Sequence, residues 1–477
     1  MVNNMKFMLA KLTGKASYEV MKVLPTGGKS FPGLLYLKIA GYDALGDLVE
    51  KQISDGSILI TGTNGKTTTT TMVIDLLSRD TKLSASVGNN TQFALTTALL
   101  STSADMGVFE YGIRDVAHGT PEYISQMVNP IGVIYTNISR EHTQVAGKKN
   151  PFEDYIHAKT LLSSSLNDGI IVSNADDPNT TFIAYNKADT NKTVFYGFEL
   201  ESLHDEFDKQ EVKCPSCGKI LNYTQHYMNQ RGIYECECGF KRPECDVKLT
   251  SFEQEDDKWT VNISGNPYNY YLKDKLSFDV TIHVPILGIH NLYNILCAIA
   301  TYTAFTPNTS GYLENIQEYY DNLDFGILPP GRFELVNVGD KLVGIGQGDN
   351  GDALQVNTLL MMMHANSDEL EFIYTTPDDN EEEIFEDHLS TIKKVEPAHL
   401  IVMPGRVSVV KAQEYYMEVE DEFNSNFYPV EFDFDKRIDK IVDLVENSDY
   451  KYIIITGCGE EIDIWESVKS RLKSLDV

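Results

Sequence analysis

The chain has 477 residues, too many for a single hydrophobic core, so two or three domains are expected. With 42% apolar and 23% charged residues and no apolar stretch long enough to cross a bilayer, it reads as a soluble cytoplasmic protein. A net charge of −30 repels nucleic acid and anionic surfaces, so neither a nucleic-acid partner nor membrane insertion is expected.

Residues 1–50 read as a short helical segment interrupted at Lys29-Ser30-Phe31-Pro32-Gly33. Beyond it, apolar runs at 57–61, 106–111, 131–136 and 169–173 alternate with helical patterns. The runs are continuous, as parallel strands covered on both faces require, and predict a doubly wound α/β domain over 51–328.

The string Gly62-Thr63-Asn64-Gly65-Lys66-Thr67-Thr68 lies between the first of these strands and a helical stretch at 69–79. Strand, glycine-rich turn and helix form a phosphate-binding loop. Glycines let backbone N–H groups close on phosphates, and the helix N-terminus adds its positive dipole end. Lys66 reaches the terminal phosphates and the Thr67 hydroxyl suits Mg²⁺, so ATP is the expected nucleotide. Glu110 ends the next strand, at the sheet edge where ligands bind, and is placed for Mg²⁺. Another strand runs out at Thr136-Asn137, followed by Ile138-Ser139-Arg140-Glu141-His142, which puts His142 at the same crevice as a second metal ligand. Asn150 as N-cap, Pro151 at the first helical position and Glu153 three residues on signpost a helix carrying His157 and Lys159.

Five of seven cysteines fall between Cys214 and Cys245, within an insertion placed at about 205–275. In a chain without a secretory signal, clustering argues for metal over disulfides. Cys214-Pro215-Ser216-Cys217 and Cys236-Glu237-Cys238 would supply four thiolates to a closed, structural Zn²⁺ site in a small ribbon. The second half is CxC, which leaves Cys245 as a reserve ligand. Cys297 and Cys458 read as core or loop thiols. Pro329-Pro330-Gly331 marks a domain boundary. Apolar strands at Lys341–Ile345, 371–374, His399–Met403 and 452–456 then predict a smaller Rossmann-like α/β domain over 329–477. The run Asp378-Asp379-Asn380-Glu381-Glu382-Glu383 reads as a solvated surface.

Taken in order, the loop at Gly62, Glu110, Asn137 with Glu141-His142, Ala158-Lys159, Asn174-Ala175-Asp176-Asp177-Pro178, the helix opening Gly288-Ile289-His290-Asn291-Leu292-Tyr293-Asn294, and Gly331-Arg332-Phe333-Glu334 resemble the Mur ligase family. The resemblance spans about residues 25–355. It implies an ATP-dependent enzyme that activates a peptide carboxylate as an acyl phosphate for attack by an amine. It implies that Glu110 and His142 bind Mg²⁺, that Lys159 matches a lysine carbamylated in many members to support a second Mg²⁺, that Asn291 and Asn294 lie near the adenine, and that Arg332 meets the nucleotide on domain closure. Lys66, Glu110, His142, Lys159 and Arg332 are thus the expected catalytic set.

A Cys-rich ribbon and a short N-terminal part resemble two subgroups. One is MurT, which amidates a stem-peptide glutamate with a glutaminase partner. The other is the archaeal pseudomurein peptide ligases, which join an amino acid to a peptide or nucleotide-linked peptide. The stretch Gly346-Gln347-Gly348-Asp349-Asn350-Gly351-Asp352-Ala353-Leu354 departs from the usual family sequence after the Gly-Arg-x-Glu motif. Thr375-Thr376-Pro377-Asp378-Asp379-Asn380 lacks the MurT motif expected there, and residues 137–142 look more like amino-acid-adding ligases. These departures favour the pseudomurein type over MurT. A reading from another class, a zinc-ribbon protein with a vestigial nucleotide loop, predicts no ATP turnover.

Overall fold

A computed structural model of the chain describes residues 4–21, 30–117, 119–140, 151–200, 211–255, 258–285, 288–323, 333–379, 381–431, 433–458 and 462–475. It divides into two compact units, residues 1–138 with 153–326, and 139–152 with 327–477.

The first unit runs α1 (Asn4–Met21), α2 (Phe31–Ala40), α3 (Ala44–Gln52), β1 (Ile53–Thr61), α4 (Lys66–Leu77), β2 (Leu83–Ser86), α5 (Gln92–Ser101), β3 (Ala104–Glu110), α6 (Pro121–Met127), β4 (Pro130–Tyr135), α7 (Pro151–Thr160), β5 (Ile170–Asn174), α8 (Pro178–Tyr185) and β6 (Lys192–Phe198). It continues with β7 (Asn222–Met228), β8 (Arg231–Glu235), β9 (Val247–Glu255), β10 (Lys258–Gly265), β11 (Tyr268–Asn269), β12 (Asp274–Lys275), β13 (Phe278–Pro285), α9 (Ile289–Phe305) and α10 (Tyr312–Asp321). The main sheet has the order β13-β10-β9-β6-β5-β4-β1-β3-β2, parallel from β2 through β9. From β1 the chain steps out to β2, returns to β3, then crosses to β4 on the other side. β1 therefore lies at the point where the winding reverses, and its C-terminal end faces the crevice where ligands of such sheets bind. Ile60 pairs with Glu110 and Thr61 with Tyr135, so three strand ends converge there. Met72, Val73, Leu76 and Leu77 of α4 are fully or almost fully buried in the core that fixes the helix behind the loop.

The break expected at 29–33 coincides with the start of a new helix: Ser30 is the N-cap of α2, and Pro32 and Gly33 sit in its first turn, where a proline's missing N–H has no partner to lose. The stretch up to 275, however, does not form one inserted ribbon. β7 and β8 form a separate two-stranded sheet, whereas β9, β10 and β13 extend the main sheet. The alternating burial along β10 and β13 is the pattern of antiparallel strands with one wet face.

The second unit contains β14 (Glu334–Val338), β15 (Lys341–Ile345), α11 (Gly351–Met362), β16 (Leu370–Thr375), α12 (Glu382–Val395), β17 (His399–Met403), α13 (Val409–Met417), β18 (Ser425–Phe427), α14 (Phe434–Glu446), β19 (Tyr452–Gly457) and α15 (Ile462–Leu475). Its sheet order is β14-β15-β19-β16-β17-β18, with only the β14–β15 pair antiparallel. The acidic run here is not a uniformly solvated face. Glu381 is buried and accepts from the Asp378 backbone N–H, and Asp378 pairs with Arg406 at 2.8 Å. Glu382 and Glu383 occupy the first turn of α12, where the helix dipole favours acids.

Candidate functional site

The phosphate-binding loop is sewn to the end of β4. Asn137 accepts from the Thr63 N–H at 2.8 Å through its backbone carbonyl and from the Asn64 N–H at 3.0 Å through Oδ1. The Asn64 carbonyl in turn accepts from Asn137 Nδ2 at 2.9 Å and from the Thr136 hydroxyl at 2.7 Å. Both glycines are sterically required. A Cβ on Gly62 would lie 1.9 Å from Thr136 Oγ1, and one on Gly65, at φ +77°, would lie 2.1 Å from Asn294 Oδ1. Gly65 is the N-cap of α4, so the loop opens directly onto a helix N-terminus.

Three side chains hold the loop from other elements. The Thr67 hydroxyl donates to Glu110 Oε1 at 2.8 Å, and Glu110 Oε2 accepts from the Gly88 N–H at 2.7 Å. Glu110 is 1% exposed. A hydroxyl and a buried carboxylate in contact at a phosphate loop are a donor set suited to a hard divalent cation. Lys66 Nζ donates to the Thr63 carbonyl at 2.6 Å. Lys159, on α7 and equally buried, donates from Nζ to the Gly62 carbonyl at 2.9 Å and lies 4.5 Å from the Tyr155 ring centroid. On α9, Asn294 Nδ2 donates to Asn291 Oδ1 at 2.9 Å, and Asn294 Oδ1 accepts from the Thr69 hydroxyl at 3.4 Å. Lys66, Thr67, Glu110, Lys159, Asn291 and Asn294 thus surround one loop. Thr68 is buried in the first turn of α4. His142, Arg332, Asn150 and the Pro329-Pro330-Gly331 break lie outside the described residues.

Asp176 and Asp177 tie the ribbon to this edge. Asp177 caps α8, accepting from the Asn179 and Thr180 N–H groups, while its Oδ2 accepts from the Ile138 N–H and from Gln230 Nε2, each at 2.9 Å. Gln230 also donates to the Ile138 carbonyl at 2.6 Å. Asp176 is wholly buried. It accepts from Arg242 Nε at 2.7 Å, the Phe198 N–H at 2.8 Å and the Tyr293 hydroxyl at 2.8 Å. Burial pushes both carboxyls above the ordinary range, and these donors oppose it. Nothing in the sequence marks Gln230 or Arg242; the strings Asn174-Ala175-Asp176-Asp177-Pro178 and Gly288-Ile289-His290-Asn291-Leu292-Tyr293-Asn294 mark only Asp176, Asp177 and Tyr293.

In the ribbon, Cys214, Cys217, Cys236 and Cys238 bring four sulfurs within 4.8 Å of one another. The two halves turn alike despite unequal spacing. Gly218 and Gly239 take left-handed φ values of 76° and 91°, and their N–H groups donate to the Cys214 and Cys236 carbonyls. Burial pushes the Cys214 thiol up to about 12, while hydrogen bonding from the Phe240 backbone helps bring Cys238 down to about 7. Cys245 is not part of this group. Its sulfur lies 3.2 Å from Arg242 Nη2, beside Asp176.

Residues 60–240 match the Mur ligase middle domain, which takes in the loop, the Glu110 strand and both cysteine pairs. Over this span the chain is similar to the middle domain of Mur ligases. It is 29% identical over 351 residues to the Lipid II isoglutaminyl synthase (glutamine-hydrolyzing) subunit MurT of Staphylococcus aureus strain N315, covering 70% of this chain and 74% of that one. It is 25% identical over 330 residues to UDP-N-acetylmuramyl-tripeptide synthetase 2 of Oceanobacillus iheyensis, covering 63% and 53%. Among solved structures, a pseudomurein peptide ligase type C from Methanothermus fervidus superposes with a TM-score of 0.66 at 22% identity, over 90% of this chain and 81% of that one. MurF from Acinetobacter baumannii gives 0.61 at 15% identity, over 91% and 80%. These two share the Mur ligase fold with this chain.

Proposed function

We propose that this Mur ligase uses ATP to activate a peptide carboxylate and joins it to an amine during cell-wall peptide assembly. The observation that carries the reading is the contact of Thr67 with buried Glu110 beside Lys66, at the crevice where β1, β3 and β4 end. The γ-phosphoryl of ATP passes to a carboxylate oxygen and ADP leaves. The amine nitrogen then attacks the acyl carbon, the C–O bond to phosphate breaks, and the nitrogen gives up a proton. Lys66 and the loop N–H groups face the charge that builds on the transferring phosphoryl group. Thr67 and Glu110, with His142 as the further proposed ligand, would hold a Mg²⁺ ion, which would supply further neutralisation there. Lys159, as a carbamate, would support a second ion. Asn291 and Asn294 would orient the base, and Arg332 is the residue proposed to contact the nucleotide.

Four cysteine sulfurs within 4.8 Å of one another support a structural Zn²⁺ in the ribbon. Such an ion would hold the ribbon in the shape that places Gln230 and Arg242 against the Asp176-Asp177 segment.

Two readings of the amine stand. The sequence at 137–142 and 346–354 supports a free amino acid. The MurT relatives support ammonia supplied by a glutaminase subunit. An ADP-release screen separates them: a free amino acid with a peptide carboxylate sustains turnover in the first case, and only ammonia, or glutamine with a glutaminase, in the second. No ADP release with any amine would refute both.

A further inference from the structure

Helix α1 is apolar on two sides. Phe7, Ala10 and Gly14, three and four residues apart, face inward. The Phe7 ring meets Tyr36 of α2 edge-on at 6.1 Å, and a Cβ on Gly14 would lie 2.8 Å from Leu100 of α5. The helix is therefore seated by its inner face. On its outer side Met8, Leu9, Leu12 and Val20 are 63, 59, 65 and 61% exposed, with Ala16 among them. Contiguous apolar exposure on this scale marks an interaction surface rather than a solvated helix.

Charge selects the partner. Residues 1–42 hold six lysines and a single acid, Glu19, in a chain with 70 acids against 40 basic residues. Lys6 and Lys15 are exposed on either flank of the apolar stripe. Lys11 donates to Gln52 at 3.2 Å, and Lys51 lies 3.5 Å from the Phe7 ring centroid. The field of the acidic remainder is screened beyond about 8 Å at physiological salt, so a local basic patch sets what approaches α1.

We infer that the outer face of α1 is a peripheral docking site for an anionic lipid bilayer, with Met8, Leu9, Leu12 and Val20 entering the headgroup boundary and lysines meeting the lipid charge. A second copy of the chain would bring the same lysines face to face, which like-charge repulsion opposes.

The test is co-sedimentation of the full chain with vesicles of phosphatidylcholine alone and with phosphatidylglycerol added. The expected result is binding to the anionic vesicles only, weakened by salt. Leu9→Glu/Leu12→Glu should reduce it about tenfold or more, and Lys6→Glu and Lys15→Glu about fivefold each. Both changes face outward, and unchanged melting temperatures would verify that the fold is kept. Absence of binding, equal binding to neutral vesicles, or wild-type binding by the Leu9/Leu12 variant would overturn the inference. So would self-association abolished by Leu12→Glu without vesicle binding, which would assign the face to a second copy.

Discussion

Thr67 and Glu110 are 43 residues apart in sequence and 2.8 Å apart in space. The helix N-terminus that follows β1 and the end of β3 are thereby fixed as one edge, the one proposed to bind Mg²⁺. Glu110→Gln keeps the shape but removes the charge. It should lower kcat/KM for ATP by about a hundredfold and raise the Mg²⁺ concentration needed for half-maximal ADP release. An unchanged Mg²⁺ requirement would show that Glu110 does not serve the cation.

Arg242 is the main cationic partner of the buried Asp176 carboxylate, and its guanidinium also reaches the Phe198 carbonyl and Glu199. Removing one partner of such a pair leaves an uncompensated buried charge. Arg242→Ala should destabilise the first unit by about 3 kcal/mol in urea unfolding. Arg242→Lys should rescue little, because a point charge cannot reproduce three directed contacts.

Chemical analysis should find a zinc ion in each chain, absent from Cys238→Ser. Stripping it with a chelator should lower the melting temperature, since apparent binding energies of structural zinc are on the order of 10 kcal/mol. Cys245→Ser should keep full zinc content, because its sulfur sits with Arg242 outside the four-sulfur group. Zinc loss in that variant would contradict the geometry.

His388, fully buried on α12 and within 2.9 Å of the Tyr374 hydroxyl, is held by burial below its ordinary value of 6.5, at about 4. Between these values the unfolded chain binds the extra proton, so stability rises with pH. The contribution is complete above about 6.5 and lost as pH falls toward 4, on the order of 3 kcal/mol. Urea unfolding of wild type against His388→Gln should show a pH-dependent difference confined to that window.

The loop was legible because its information is local: glycines where no Cβ fits, then Lys66 and Thr67 at a helix start. Glu110 was legible from its place at the end of an apolar strand. Asp176, Gln230 and Arg242 were not, because their meaning depends on a ribbon folding back onto a segment more than 50 residues earlier. The four strands of the sheet beyond β5 were hidden for a related reason: β9 and β10 alternate like an independent amphipathic hairpin, and only pairing to β6 through β9 assigns them to the main sheet. The acidic run at 378–383 misled because a string of like charges says nothing about a facing Arg406.

The most direct measurement is ADP release by wild type and Lys66→Ala, with and without a carboxylate-bearing peptide and an amine. Turnover is expected only when peptide and amine are both present, with a loss of at least about a hundredfold in Lys66→Ala with its fold retained. ATP turnover that ignores the peptide, or that survives in Lys66→Ala, would contradict the proposed function.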